Sequence, residues 1–73
     1  MAENNLSNKI RRLRFDNGEM TQQLLANKVG VTRQTIIAIE AGKYAPSLTL
    51  AFRIAKAFNT PIDQVFQYDN SDI

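Results

Sequence analysis

Thr21-Gln22-Gln23-Leu24-Leu25-Ala26-Asn27-Lys28-Val29-Gly30-Val31-Thr32-Arg33-Gln34-Thr35-Ile36-Ile37-Ala38-Ile39-Glu40-Ala41-Gly42 decides the fold of this chain. Thr21 and Thr32 stand where helix N-caps belong, each with a hydroxyl that can accept from a backbone N–H in the next turn. The first opens a helix predicted over Gln22–Val29, which buries Leu24 or Leu25, the stem of Lys28, and Val29. Gly30 then supplies a residue that reaches positive φ without a Cβ clash. The second threonine opens a helix over Arg33–Ala41, and Gly42 stops it.

Outward from this pair, apolar spacing predicts three more helices. Ile10, Leu13 and Asn17 follow a 3/4 rhythm, with Leu6 one turn earlier, so a helix covers about Ser7–Asn17 and ends at Gly18. Lys43-Tyr44-Ala45-Pro46 reads as a loop. Ser47 caps a helix over Leu48–Phe58, with Leu48, Ala51, Ala55 and Phe58 on one stripe and Asn59 at its end. Thr60-Pro61-Ile62-Asp63 opens a last helix: an N-cap, a proline at the first helical position, and an acid near the positive helix end. Val65-Phe66-Gln67-Tyr68 alternates and fits a short strand. Residues 69–73 are expected to be mobile. The fold class is all-α: one compact five-helix domain over 1–73, its core within 7–68, with a short C-terminal β-strand.

Composition narrows the function. The chain has 73 residues, room for one small core. With no cysteine and no histidine, disulfides, Cys/His zinc sites, thiol nucleophiles and imidazole bases are excluded. No metal site and no cofactor is expected. No apolar run approaches the roughly 18 residues of a membrane span, and Met1-Ala2-Glu3-Asn4-Asn5 is too polar for a signal peptide, so a cytoplasmic protein is expected. Asn5-Leu6-Ser7 is then a chance glycosylation sequon. Net charge is +2, but it is segregated: residues 1–58 hold all nine Lys and Arg against four acids, a balance of +5, while 59–73 hold three aspartates. A basic body with an acidic tail suits a polyanionic partner, although a soluble basic protein without one would look the same.

Two capped helices joined by a glycine turn are the sequence form of a helix-turn-helix. The second helix of the pair has two faces. Ile36, Ile39 and Glu40 point inward at 3/4 spacing; Arg33, Gln34, Ile37 and Ala38 point the other way. Arginine forks onto guanine O6 and N7, glutamine pairs with adenine N6 and N7, and apolar groups meet the thymine methyl. A solvated face with one stray isoleucine fits the spacing equally well.

The stretch from Thr21 through Leu48, continuing through Ala51, Ile54-Ala55-Lys56 and Thr60-Pro61-Ile62-Asp63-Gln64-Val65-Phe66, closely resembles the Xre, or lambda-repressor-like, helix-turn-helix family. Within it, Lys43-Tyr44-Ala45-Pro46-Ser47-Leu48 and the Val65–Tyr68 ending are most similar to minimal dimeric repressors of the cytolysin-repressor type, whose chain beyond the five helices adds a small β-sheet. The resemblance implies a transcriptional repressor that binds double-stranded DNA as a homodimer. It implies that Arg33, Gln34, Ile37 and Ala38 face base edges in the major groove. Gln22, Thr32, Lys43 and Tyr44 would face phosphates, and Arg14 would pair with Glu40. The alternative is an antitoxin or adaptor that uses the same fold mainly for protein–protein contact; retention of Arg33-Gln34 and the basic body favour DNA.

Three features depart from the family pattern. Gly18-Glu19-Met20-Thr21 is one residue longer than the usual link. Ile37 replaces a residue that is usually small or polar. Phe15 stands at an exposed polar position, where it either covers the edge of the core or touches another chain. Pro61, Ile62, Val65, Phe66 and Tyr68 offer more apolar surface than the end of so small a domain is expected to bury alone, which marks a dimer interface. An enzyme is not expected: Asp16 and Glu19 flank a glycine turn with no partner base, and the glycines are spaced as helix terminators. Nothing in the sequence identifies a small-molecule effector.

Overall fold

The computed structural model describes residues 6–68. The order of elements is β1 (Leu6–Asn8), α1 (Ile10–Asp16), α2 (Gln22–Val29), α3 (Arg33–Glu40), α4 (Leu48–Ala57), α5 (Ile62–Val65) and β2 (Phe66–Tyr68). Five helices therefore enclose the core, and β1 and β2 pair antiparallel at its edge with Asn8 opposite Phe66 and Leu6 opposite Tyr68. The expected mobility of 69–73 lies outside the described residues.

The two decisive helices form for the reasons their sequence gives. Thr21 Oγ1 accepts from the Leu24 N–H at 3.0 Å, and Thr32 Oγ1 accepts from the Thr35 N–H at 3.2 Å. Gly30 lies in the left-handed region at φ 79° and closes α2 with its N–H on the Ala26 carbonyl. The Val31 N–H shares that carbonyl at 3.0 Å, which turns the chain directly into the cap of α3. Ser47 caps α4 in the same way, donated to by Leu50 N–H at 3.1 Å.

Ile10, Leu25, Ile36, Ile39, Ile54 and Val65 are the large side chains at the centre of the core, all essentially without solvent contact. Each contributes about 1.5–3 kcal/mol by its removal from water. Leu25 rather than Leu24 takes the inward position on α2; Leu24 and Lys28 are exposed.

Four expectations need correction. The first helix starts at Ile10, not Ser7, because Asn8 ends the extended segment: its Oδ1 accepts from the Ile10 N–H at 3.1 Å and its Nδ2 donates to the Ile39 carbonyl at 2.9 Å. Leu6 packs against the core, but from a strand. Leu48, in the first turn of α4 after the Ser47 cap, is 71% exposed; the buried stripe runs through Leu50, Ala51, Ile54, Ala55 and Phe58. Thr60 does not cap α5: its Oγ1 donates back to the Phe58 carbonyl at 2.9 Å, and Pro61 takes the cap position.

Candidate nucleic-acid interface

The orientation of α3 decides what the surface offers. Ile36 and Ile39 are anchored in the core, while Arg33, Gln34 and Ile37 are exposed and Ala38 is half-buried. The outward face therefore carries a guanidinium, an amide, a branched aliphatic group and a methyl, in that order along the helix. Anchoring is on the opposite side, so none of the four has to move for the helix to hold its position.

A charged clasp fixes the far end. Arg14 Nε donates to Glu40 Oε2 at 2.7 Å and Arg14 NH2 donates to Oε1 at 3.0 Å, a bidentate pair between α1 and the last residue of α3. Arg14 NH1 also donates to the Met20 carbonyl at 2.9 Å. Both side chains are largely buried, 15% and 10% exposed. The longer link between α1 and α2 takes part in this arrangement. Gly18 and Glu19 both adopt positive φ, 77° and 56°, and the Met20 N–H returns to the Arg14 carbonyl at 2.8 Å. The additional residue is thus absorbed in a tight turn that buries Met20 and presents its carbonyl to Arg14.

Gln22 lies beside the clasp at the start of α2, half-buried, with Nε2 at 3.4 Å from Glu40 Oε1. Gln22 and Arg33 border one open groove together with Arg11 and the clasp. Ile37 borders an adjoining groove with Gln22, Arg11 and Phe15. Thr32 is exposed and shares a hydroxyl contact of 3.0 Å with Thr35, so its side chain serves first as the cap of α3. Lys43 and Tyr44 are exposed in the loop after α3, where the Lys43 N–H holds the loop to the Ala38 carbonyl at 3.0 Å.

The sequence reading missed Arg11, which has no motif of its own, and Asn8, whose role needs the strand pairing to be visible. Phe15 does not cover the core edge: it is 64% exposed, beside the groove that holds Ile37. The expected apolar dimer patch divides. Val65 and Phe66 are buried within this chain's own core, because α5 and β2 close over it; Ile62 is half-buried, and Pro61 and Tyr68 remain exposed. Leu48 and Phe52, one turn apart on α4, are exposed apolar residues that the patch did not include.

Both the sequence and the fold are similar to those of known proteins. Over 53 residues, 73% of this chain and 80% of the relative, the sequence is 58% identical to an uncharacterized HTH-type transcriptional regulator of Methanocaldococcus jannaschii. It is 33% identical over 67 residues to the cryptic phage CTXphi transcriptional repressor RstR of Vibrio cholerae, covering 92% of this chain and 60% of that one. The crystal structure of a putative DNA-binding protein from Bacteroides fragilis superposes with a TM-score of 0.73 at 24% identity, over 85% of this chain and 98% of that one, which shows the shared fold. The helix-turn-helix family model matches residues 10–65, from the first residue of α1 to the last of α5. With two capped helices about a glycine turn and three further helices packed around them, this chain belongs to the Xre-like, lambda-repressor-like helix-turn-helix family.

Proposed function

We propose that this protein is a sequence-specific, non-enzymatic DNA-binding transcriptional regulator that represses by occupying a two-fold operator as a homodimer. The observation that carries this reading is the outward face of α3. Arg33, Gln34 and Ile37 are exposed, with Ala38 half-buried beside them, on a helix locked from behind by Ile36, Ile39 and the Glu40–Arg14 clasp. In the major groove, Arg33 would fork onto a guanine, Gln34 would pair with an adenine, and Ile37 and Ala38 would meet thymine methyls. Gln22, Thr32, Lys43 and Tyr44 would hold the backbone on either side of the groove, which positions the helix without reading sequence.

Repression as the outcome is supported by the similarity to RstR, which is named a transcriptional repressor. A homodimer would place two copies of α3 about 34 Å apart, one helical turn of DNA. Pro61, Ile62 and Tyr68 are the part of the expected patch left for a partner copy. The protein would act in the cytoplasm; among the described residues no helix is long and apolar enough to cross a membrane.

The test is selection of DNA from a random pool by the purified protein. Enrichment of an inverted repeat whose half-sites are one turn apart supports the proposal. Enrichment of nothing, with no salt-dependent duplex binding, overturns it in favour of a protein-interaction module.

A further inference from the structure

We infer that the groove between α1 and α3 lined by Phe15 and Ile37 is a docking site for a second protein, and that its occupant is an acidic segment carrying one apolar anchor side chain. Its consequence for DNA binding rests on the reading of α3 as the DNA-facing helix. The groove collects apolar side chains that the core does not use: Phe15 is 64% exposed and Ile37 39%. Ala41, exposed and four residues after Ile37, continues the same wall with a methyl group. An aromatic ring thus stands on one side and aliphatic groups on the other. Phe15 and Ile37 are also the two positions where this chain departs from its family's pattern by an apolar residue. The third departure, the longer link, meets them there: Glu19 and Met20 border a hollow on the other side of Phe15, and the Glu19 N–H donates to the Phe15 carbonyl at 3.1 Å. Single exposed apolar residues are ordinary, but contiguous ones within a polar rim mark an interaction site.

Charge selects the occupant. Lys9, Arg11, Arg12 and Glu40 are the charged groups that line the groove. Glu40 is held by Arg14, and Arg12 by Asp16. Lys9 and Arg11 are exposed and make no ion pair among the described residues, so the uncompensated charge of the rim is positive. Two copies of this face would bring those cations together, which disfavours a self-contact here. A single-stranded nucleic acid would find one aromatic ring, not the succession of stacking surfaces that its bases need. An acidic segment with one apolar side chain matches both the centre and the rim. Gln22 and Ile37 line the same groove and belong to the proposed DNA contacts, so a seated segment and a DNA duplex compete.

The probe is a phage-displayed library of random linear peptides, selected on the full chain. Enriched peptides are expected to combine Asp or Glu with a single Leu, Ile or Phe. A synthetic copy of one should displace a labelled duplex from the wild type. Phe15→Ser should weaken its binding by roughly tenfold or more. That variant should melt as the wild type does and keep its duplex binding, because the ring is exposed. Ala41→Glu tests the opposite wall independently and should also lose the peptide, through bulk and like charge. Failure to enrich any peptide overturns the proposal, as does enrichment of peptides that bind both variants as they bind the wild type. Binding of an oligothymidylate that Phe15→Ser abolishes overturns it in favour of a single-strand site. An oligomer that Phe15→Ser dissociates in sedimentation overturns it in favour of a self-contact. If the wild type binds the peptide through Phe15 but binds no duplex, the docking site stands and the DNA reading of α3 falls.

Discussion

Arg14 on α1 and Glu40 at the end of α3 form a bidentate ion pair at 2.7 and 3.0 Å, buried on both sides, that ties the first helix to the helix whose outer face is free. Such a pair adds little net stability when compared with apolar residues of the same volume. Its removal from one side is costly, because a charge is then left without a partner in a poorly hydrated place.

Glu40→Ala is therefore expected to destabilise the fold by about 3 kcal/mol, the low end of the range for a fully buried pair, since some solvent reaches both groups. The stranded Arg14 keeps only its bond to the Met20 carbonyl. For a domain of this size the melting temperature should fall by more than about 10 °C. A thermal melt superimposable on the wild type would show that the clasp carries no structural load.

Gly30→Ala tests backbone conformation separately from packing. A Cβ at Gly30 would meet only Arg53 NH1, at 3.9 Å, so there is room for it. The residue nevertheless sits at φ 79°, where a Cβ crowds the following carbonyl. A loss of about 1–2 kcal/mol is expected from conformation alone, measured by urea denaturation with an unchanged m-value. A neutral substitution would mean that the turn between α2 and α3 can relax.

Dimerisation separates two groups of residues that the sequence placed together. Tyr68 is 62% exposed, so Tyr68→Ser should shift a sedimenting dimer toward monomer with little change in monomer stability. Val65 is fully buried within the chain, so Val65→Ala should lower stability by about 1–3 kcal/mol in either state. A dimer untouched by Tyr68→Ser would move the interface elsewhere, with the exposed Leu48 and Phe52 of α4 as the next place to look.

What could be read beforehand followed the strength of the local signals. Thr21, Thr32 and Ser47 each made the cap that its hydroxyl and the following apolar rhythm announced, because capping is settled within one turn of chain. Leu6 and Asn8 were misread because their fate depends on residues some sixty positions away: Leu6 faces Tyr68 across the sheet and Asn8 faces Phe66. A leucine one turn before Ile10 satisfies helical spacing, but a strand can deliver the same side chain to the same core. Val65 and Phe66 count toward a dimer patch on apolar composition alone, which does not say how much of its own end a small domain encloses; here α5 and β2 close over both. The pairing of Arg14 with Glu40 came from family resemblance alone. Its bond to Met20 required the left-handed turn at Gly18 and Glu19, which no motif encodes.

Specificity and affinity should come apart at opposite ends of α3. Arg33 is exposed in the first turn, where a recognition helix meets base edges, whereas Lys43 lies in the loop after the helix, where the backbone should pass. Base contacts discriminate between sequences; phosphate contacts hold all sequences alike. Arg33→Ala is expected to cost roughly 1–3 kcal/mol on the selected operator and almost nothing on a scrambled duplex. Lys43→Ala should weaken both duplexes equally and flatten the log–log salt slope by about one unit. Neither side chain is buried, so both variants should melt as the wild type does, and changes in binding can be read without correction for folding. Titration on the two duplexes at several salt concentrations checks both expectations. Equal weakening of operator and scrambled DNA by Arg33→Ala would make Arg33 a phosphate contact, and α3 would then have to enter the groove through Gln34, Ile37 and Ala38 instead.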